Sequence, residues 1–180
     1  MNVKKNLLLN TLYQLLNIIV PLVTSPYLSR VIGAEGIGIY AYYNSISYYF
    51  ILFIMLGLNN YGNRTIARVR DNKKNLSTAF CSIYSLQISM GIVGIFVYSI
   101  FILFFVGEDK LIACLNIIYV LSAVFDINWF FSGLERFKII VIRNCVIKLL
   151  SLVAILVFVK RKTDLFIYVL IIVVSALVSQ

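Results

Sequence analysis

Three ionisable residues stand where an apolar chain would not be expected to place them. Asp126, Arg143 and Lys148 all fall within runs of about 20 mostly apolar residues, and one charge at the centre of a membrane span costs about 2.5 to 3.5 kcal/mol even on the lenient insertion scale. A hairpin turning near Leu134 brings Asp126 level with Ile142 and Arg143, which predicts an Asp126–Arg143 ion pair. The alternative for Arg143 is that its long side chain reaches to the membrane surface. Lys148 lies ten residues beyond Lys138, or about 15 Å of helix, half the depth of a hydrocarbon core. Asn144, Lys148 and Ser151 follow intervals of four and three and so share one helix face. A cationic, polar wall of this kind suits an anionic solute or a lipid-linked phosphate better than a metal cation.

Neutral polar residues form three further stripes at helical spacing: Asn10, Gln14, Asn17, Pro21 and Thr24; Tyr40, Asn44 and Ser47; and Ser82, Ser85 and Ser89. Small and polar residues let membrane helices pack closely and hydrogen-bond across the contact. Repeated on three consecutive spans, they also suit a shared polar cavity, with Asn17 and Asn44 as candidate lining residues.

Other chemistries lack their residues. The chain has no histidine, which removes His-dependent triads, zinc motifs built on His and imidazole bases. Cys81, Cys114 and Cys145 stand singly in apolar surroundings, without the spacing of a disulfide framework or a thiolate metal site. The glycines of Gly33 to Gly38 make neither a dinucleotide fingerprint nor a phosphate loop and read as a turn. No catalytic residue, metal or cofactor is therefore expected.

The 180 residues are 62% apolar and 13% charged, with a mean hydropathy of +0.97. A soluble domain is nearer 45 to 50% and about 25%, so lipid and not water solvates this chain. The net charge of +9 would suit nucleic acid only if the sequence between basic residues were hydrophilic. It is not, and membrane lipid is the expected partner.

These residues have to be positioned by helices. A span needs about 20 apolar residues, and six such segments cover residues 7–28, 37–58, 78–106, 111–131, 139–159 and 165–180. The links between them are short, so consecutive helices must be antiparallel neighbours, and runs of this length are too long for barrel strands. The expected fold is all-α: a polytopic, six-helix transmembrane bundle. With the N-terminus cytoplasmic, that face receives ten Lys and Arg, among them Lys4, Lys5, Arg64, Arg68, Arg70, Lys73 and Lys74, against five on the other. The excess orients the N-terminus inward. The basic stretch Arg64 to Lys74 reads as a topology determinant touching anionic lipid, or as a surface that gathers a negatively charged substrate.

Two stretches carry a family resemblance. Pro26-Tyr27-Leu28-Ser29-Arg30-Val31-Ile32-Gly33-Ala34-Glu35-Gly36-Ile37-Gly38-Ile39-Tyr40, continued by Leu56-Gly57 and Tyr61-Gly62-Asn63-Arg64-Thr65-Ile66-Ala67, resembles the opening of the Wzx-type polysaccharide (O-antigen) repeat-unit flippases. These belong to the multidrug/oligosaccharidyl-lipid/polysaccharide exporter superfamily. Asp126-Ile127-Asn128-Trp129-Phe130-Phe131-Ser132-Gly133-Leu134-Glu135, with Arg143-Asn144 and Lys148, is similar to that family's fourth-to-fifth helix segment, which commonly has Gln in place of Ser132.

The resemblance implies a MATE-like lobe in a bacterial inner-membrane transporter. Such a protein moves an undecaprenyl-pyrophosphate-linked oligosaccharide, for surface polysaccharide or lipopolysaccharide biosynthesis, between two six-helix lobes in alternating access. On that analogy Arg30, Asp126, Arg143 and Lys148 would belong to the cavity or its gates. Residues 1–180 would then form a single amino-terminal lobe, and the carboxy-terminal lobe or a second copy would have to complete the site. A drug or small-molecule exporter of the same superfamily, or a membrane glycosyltransferase or polymerase of the same pathway, are the alternatives.

Overall fold

The computed structural model describes the chain from Val3 to Gln180, with side chains from Thr11 onward except that of Leu12. Lys4, Lys5 and Asn10 therefore lie outside the described side chains. Helix α1 spans Val3–Val31, α2 Gly33–Ile54, α3 Leu58–Val69, α4 Lys73–Phe105, α5 Lys110–Val124, α6 Asn128–Gly133, α7 Phe137–Phe158 and α8 Leu165–Val178. Among the described residues there is no strand, and the all-α bundle expected from the apolar runs is what forms.

Two of the six expected spans are broken. Residues 37–58 predict one helix, but α2 ends at Ile54 and α3 begins at Leu58, with Gly57 in the left-handed region at φ 73°, where glycine carries no Cβ penalty. The following stretch, read as a loop, is helical to Val69. Leu58, Gly62 and Ile66 are buried at intervals of four while Arg64 and Arg68 stay exposed, so α3 is an amphipathic helix at the end of the span. The span predicted over 111–131 likewise divides at Phe125–Ile127, which places Asp126 in a break and not inside a continuous helix.

The turn expected across Gly33 to Gly38 shrinks to the Ile32–Gly33 junction. Gly33, at φ 84°, supplies the one left-handed residue, and Gly36 and Gly38 continue α2. Helix α4 has 33 residues, about 50 Å, and outruns a hydrocarbon core of about 30 Å. Its first turn is fixed by Asn72, whose Oδ1 accepts from the backbone N–H groups of Lys74 and Asn75 at 3.0 and 3.2 Å, a standard cap for otherwise unpaired donors.

Four helical segments among the described residues are long and apolar enough to cross a membrane: Gly33–Val69, Lys73–Phe105, Lys110–Gly133 and Phe137–Phe158. Helix α8, at 14 residues, extends only about 21 Å. Helix α5 is the hub, packing against α8, α2 and α4, while α1 lies on α7 and α7 on α8. The chain ends of neighbouring hairpins meet as an up-and-down bundle requires. Arg70 pairs with Glu135 at 2.6 Å, joining the link before α4 to the link before α7. At the other end, Tyr27 Oη donates to the Val159 carbonyl at 2.6 Å.

Glycines set the closest approaches. A Cβ at Gly62 would stand 2.6 Å from the Trp129 ring and one at Gly94 2.8 Å from Ile54, and one at Gly91 would meet Val124. The α3–α6, α4–α5 and α4–α2 contacts thus depend on missing side chains, the means by which membrane helices gain packing where lipid gives no hydrophobic drive.

Candidate functional site

The polar side chains of the interior are largely consumed by structure. Gln87 of α4 is fully buried, and its amide nitrogen donates to the carbonyls of Ala123, Val124 and Asp126 at 2.7, 3.2 and 2.9 Å. Its oxygen accepts from the Trp129 indole N–H at 3.0 Å. One side chain therefore satisfies the carbonyls that the break between α5 and α6 sets free, as apolar surroundings demand. Trp129 is buried at 2% exposure and stacked on Phe80. Ser47 is taken up similarly, donating to the Tyr43 carbonyl at 2.8 Å and meeting Tyr98 Oη at 3.0 Å, while Tyr98 donates to the Ala113 carbonyl at 3.1 Å.

Where α1, α7 and α8 meet, the polar groups are differently arranged. A cavity of about 250 Å³ is lined by Tyr13 from α1, by Asn144, Lys148 and Ser151 from α7, and by Ser175 of α8 and Ser179 just after it. The face expected from the spacing of Asn144, Lys148 and Ser151 is therefore real. The Lys148 ammonium donates to Asn17 Oδ1 at 2.5 Å across the α1–α7 contact. Four residues later Pro21 lacks an N–H, so the Asn17 carbonyl loses its usual helical donor. Lys148 is half-buried, and one amide oxygen leaves two of its three donors for something else.

Asp126 and Arg143 approach each other without forming the expected ion pair. The Asp126 carboxylate accepts the backbone N–H of Asn128 at 2.9 Å, turning the break into the first turn of α6. Arg143 instead donates to Asn128 Oδ1 at 2.8 Å, to the Gln180 carbonyl at 2.7 Å and, less closely, to Asn144 Oδ1 at 3.3 Å. Asn128 stands between the two charges because the helix break turns the carboxylate back on its own chain. The series Asp126, Asn128, Arg143, Asn144 then leads to the edge of the Lys148 cavity.

Arg30 and Asn44 are not brought to this cluster. Arg30 is exposed in the last turn of α1, 13 residues and about 20 Å along the helix from Asn17. Asn44 is half-buried on α2, which packs chiefly on α5 and α4. The stripes also divide: Thr24 is buried and bonded to its own Val20 carbonyl, Gln14 and Pro21 are exposed, and Ser82, Ser85 and Ser89 face outward.

A model of the family described as polysaccharide biosynthesis protein matches residues 3–180. The chain belongs to that family. It is 27% identical over 169 residues to a protein of Escherichia coli (strain K12) named "Putative O-antigen transporter". The match takes in 92% of this chain and 40% of that relative, so the chain spans well under half the length of the curated relative. No solved structure matches. With its apolar helices, this member of the polysaccharide biosynthesis family is a multi-pass membrane protein.

Sequence reasoning missed Gln87, Asn128 and Tyr13. Gln87 had a signal: it lies on the α4 face opposite the Ser82, Ser85, Ser89 stripe, with Ile83, Gly91 and Gly94 buried at near-helical intervals around it. Asn128 and Tyr13 could be found only from the break and from the α1–α7 contact.

Proposed function

We propose that this chain is one lobe of a transporter that flips an undecaprenyl-pyrophosphate-linked oligosaccharide repeat unit from the cytoplasmic to the periplasmic leaflet of a bacterial inner membrane, its N-terminus cytoplasmic. The observation that carries this reading is Lys148, a cation within an apolar helix, bonded to Asn17 and lining a polar cavity. An ammonium of this kind is expensive in lipid unless it has a task, and a pyrophosphate offers the acceptor oxygens it lacks. Ser151, Ser175 and Asn144 beside it suit neutral hydrogen bonding to the same group.

The cavity is an open notch on one side of the bundle, and α7 contributes a single fully buried residue, Ile155. A second six-helix lobe, or a second copy, laid against α1, α7 and α8 would close it into a site that alternates between faces. Arg143 is a positioning residue in this scheme, tying the α5–α6 break to Asn144.

Restoration of surface polysaccharide in a flippase-deleted strain tests the reading. The full-length gene restores it, Lys148→Ala fails, and Lys148→Arg retains part of the function. Failure of the full-length gene removes the substrate, and full activity of Lys148→Ala removes the cavity.

A further inference from the structure

A second polar region lies on a different side of the bundle, where α3 meets α4. It is a notch of about 350 Å³ lined by Tyr61 and Thr65 of α3 and by Asn75, Thr78 and Ser82 of α4. Helix α4 packs on α5, α3 and α2, whereas α7 packs on α1, α8 and α6, so this notch is separate from the Lys148 cavity. Asn75, Thr78, Ser82, Ser85 and Ser89 follow intervals of three, four, three and four, and all five are exposed. They make one polar track, about 21 Å long, running from the basic end of α4 down its outward face.

What sets the notch apart is unused hydrogen-bonding capacity. Thr78 donates back to the Lys74 carbonyl at 3.1 Å and Ser89 to the Ser85 carbonyl at 2.9 Å, the local solution open to hydroxyls in helices. Tyr61, Thr65, Asn75 and Ser82 have no side-chain partner among the described residues. Gln87, one turn away on the opposite face of the same helix, spends both ends of its amide inside the protein.

Two cations stand within one helical turn of the notch's lining residues. Arg68 follows Tyr61 and Thr65 on one face of α3 at intervals of four and three, and Lys74 precedes Thr78 by one turn of α4; both are exposed. Arg70 is not available, since Glu135 holds it and keeps its guanidinium pKa above the usual value through the hydrogen bond and the opposite charge.

We propose that the α3–α4 notch binds the headgroup of a lipid that carries both a phosphate and free hydroxyls. Arg68 and Lys74 take the phosphate, with charge-assisted hydrogen bonds. Tyr61, Thr65, Asn75 and Ser82 read the hydroxyls, and the acyl chains lie along the apolar flank of α4. A basic patch alone would attract any anionic lipid to the surface; the hydroxyl-lined notch adds selection for a polyol head.

Native mass spectrometry of the full-length protein, released from nanodiscs of defined composition, tests this. The probes are phosphatidylglycerol, phosphatidic acid and phosphatidylcholine, with soluble glycerol phosphate as competitor. The expected result is retention of phosphatidylglycerol about tenfold above phosphatidylcholine and several-fold above phosphatidic acid, with no displacement by millimolar glycerol phosphate. Arg68→Gln lowers retention about fivefold. The double variant Thr65→Val, Ser82→Ala keeps the cations and abolishes the preference over phosphatidic acid. Arg68 and Ser82 are exposed and Thr65 is half-buried, and Thr65→Val keeps its volume, so the variants fold; unchanged elution and melting confirm it. Equal retention of phosphatidylglycerol and phosphatidic acid by the unaltered protein overturns the proposal, as does a double variant that retains the preference. Displacement by glycerol phosphate would also overturn it, by moving the site from membrane lipid to a soluble phosphate.

Discussion

The polar residues around Gln87 and those around Lys148 were recruited by the same hydrophobic chain for opposite purposes. Gln87 is fully buried and bonded at both ends of its amide, and the groups it meets are backbone carbonyls released by a helix break. Lys148 is half-buried, holds one partner and borders open volume. The difference teaches that polarity inside a membrane span is not in itself a sign of function. What distinguishes the two is spare capacity: a satisfied polar group rigidifies its surroundings, while a group with donors to spare awaits a ligand. The interior seam is complete apart from Asn116 Oδ1, the one buried side-chain oxygen without a partner among the described residues.

The sharpest way to break this comparison is to remove Gln87. Gln87→Leu leaves the Trp129 indole N–H and the carbonyls of Val124 and Asp126 short of a partner in apolar surroundings, while the Ala123 carbonyl keeps only the Asp126 N–H at 3.4 Å. At roughly 1 to 3 kcal/mol for each group left unsatisfied, with partial relaxation, a loss of about 3 kcal/mol is expected. Reversible unfolding in mixed detergent and denaturant measures it. A loss below about 1 kcal/mol would show that the seam is no more structural than the α1–α7 face.

Gly62→Ala comes next. Its Cβ would stand 2.6 and 2.8 Å from two Trp129 ring carbons, and Trp129 is fixed by Gln87 and Phe80, so it cannot yield. Overpacking of this kind costs about 2 kcal/mol, read in the same unfolding experiment. A neutral result would mean that the α3–α6 contact is loose and that α3 can swing on Gly57.

On the other face the signs reverse. Lys148→Ala removes a cation that lipid tolerates poorly, so unfolding midpoints stay unchanged or rise slightly. Polysaccharide export in the complementation assay falls at least tenfold, the scale of one lost charge-assisted contact of about 1.4 kcal/mol. Lys148→Met, similar in length without the charge, separates the two effects. Export retained with Met would assign Lys148 to packing and place both regions in the same class.

The helices themselves were legible, because apolar runs of span length have few alternatives; α7 and α8 begin within two residues of the expected positions. The breaks were not, since hydropathy is blind to them: Met55, Leu56, Phe125 and Ile127 are as apolar as the helices they interrupt. Gly57 hinted at one and Asp126, which accepts the Asn128 N–H, at the other, but the carbonyls of that second break are met by Gln87, 36 to 39 residues away. The α7 face was readable from intervals of three and four. The pairing of Lys148 with Asn17 across 131 residues was not, because periodicity assigns a residue to a face without saying which helix lies opposite.

The smallest effect tests whether a link outside the membrane can be as fully satisfied as the interior seam. Asp164 Oδ2 accepts from the backbone N–H groups of both Lys160 and Arg161 at 2.8 Å, folding the link back ahead of α8. These two bonds hold the carboxyl below its usual value of 3.8. A depressed carboxyl stabilises the fold above its unfolded pKa, and that contribution disappears as pH falls through the lower native value. The link should therefore keep its geometry at neutral pH and loosen only in acid below 3.8. The carbon-13 resonance of the Asp164 carboxyl should titrate with a midpoint below 3.8, and Asp164→Ala should raise amide exchange at Lys160 and Arg161 while leaving α7 and the unfolding midpoint unchanged. A midpoint at or above 3.8 would mean that these bonds are not held in solution, and that complete satisfaction of polar groups belongs to the apolar interior alone.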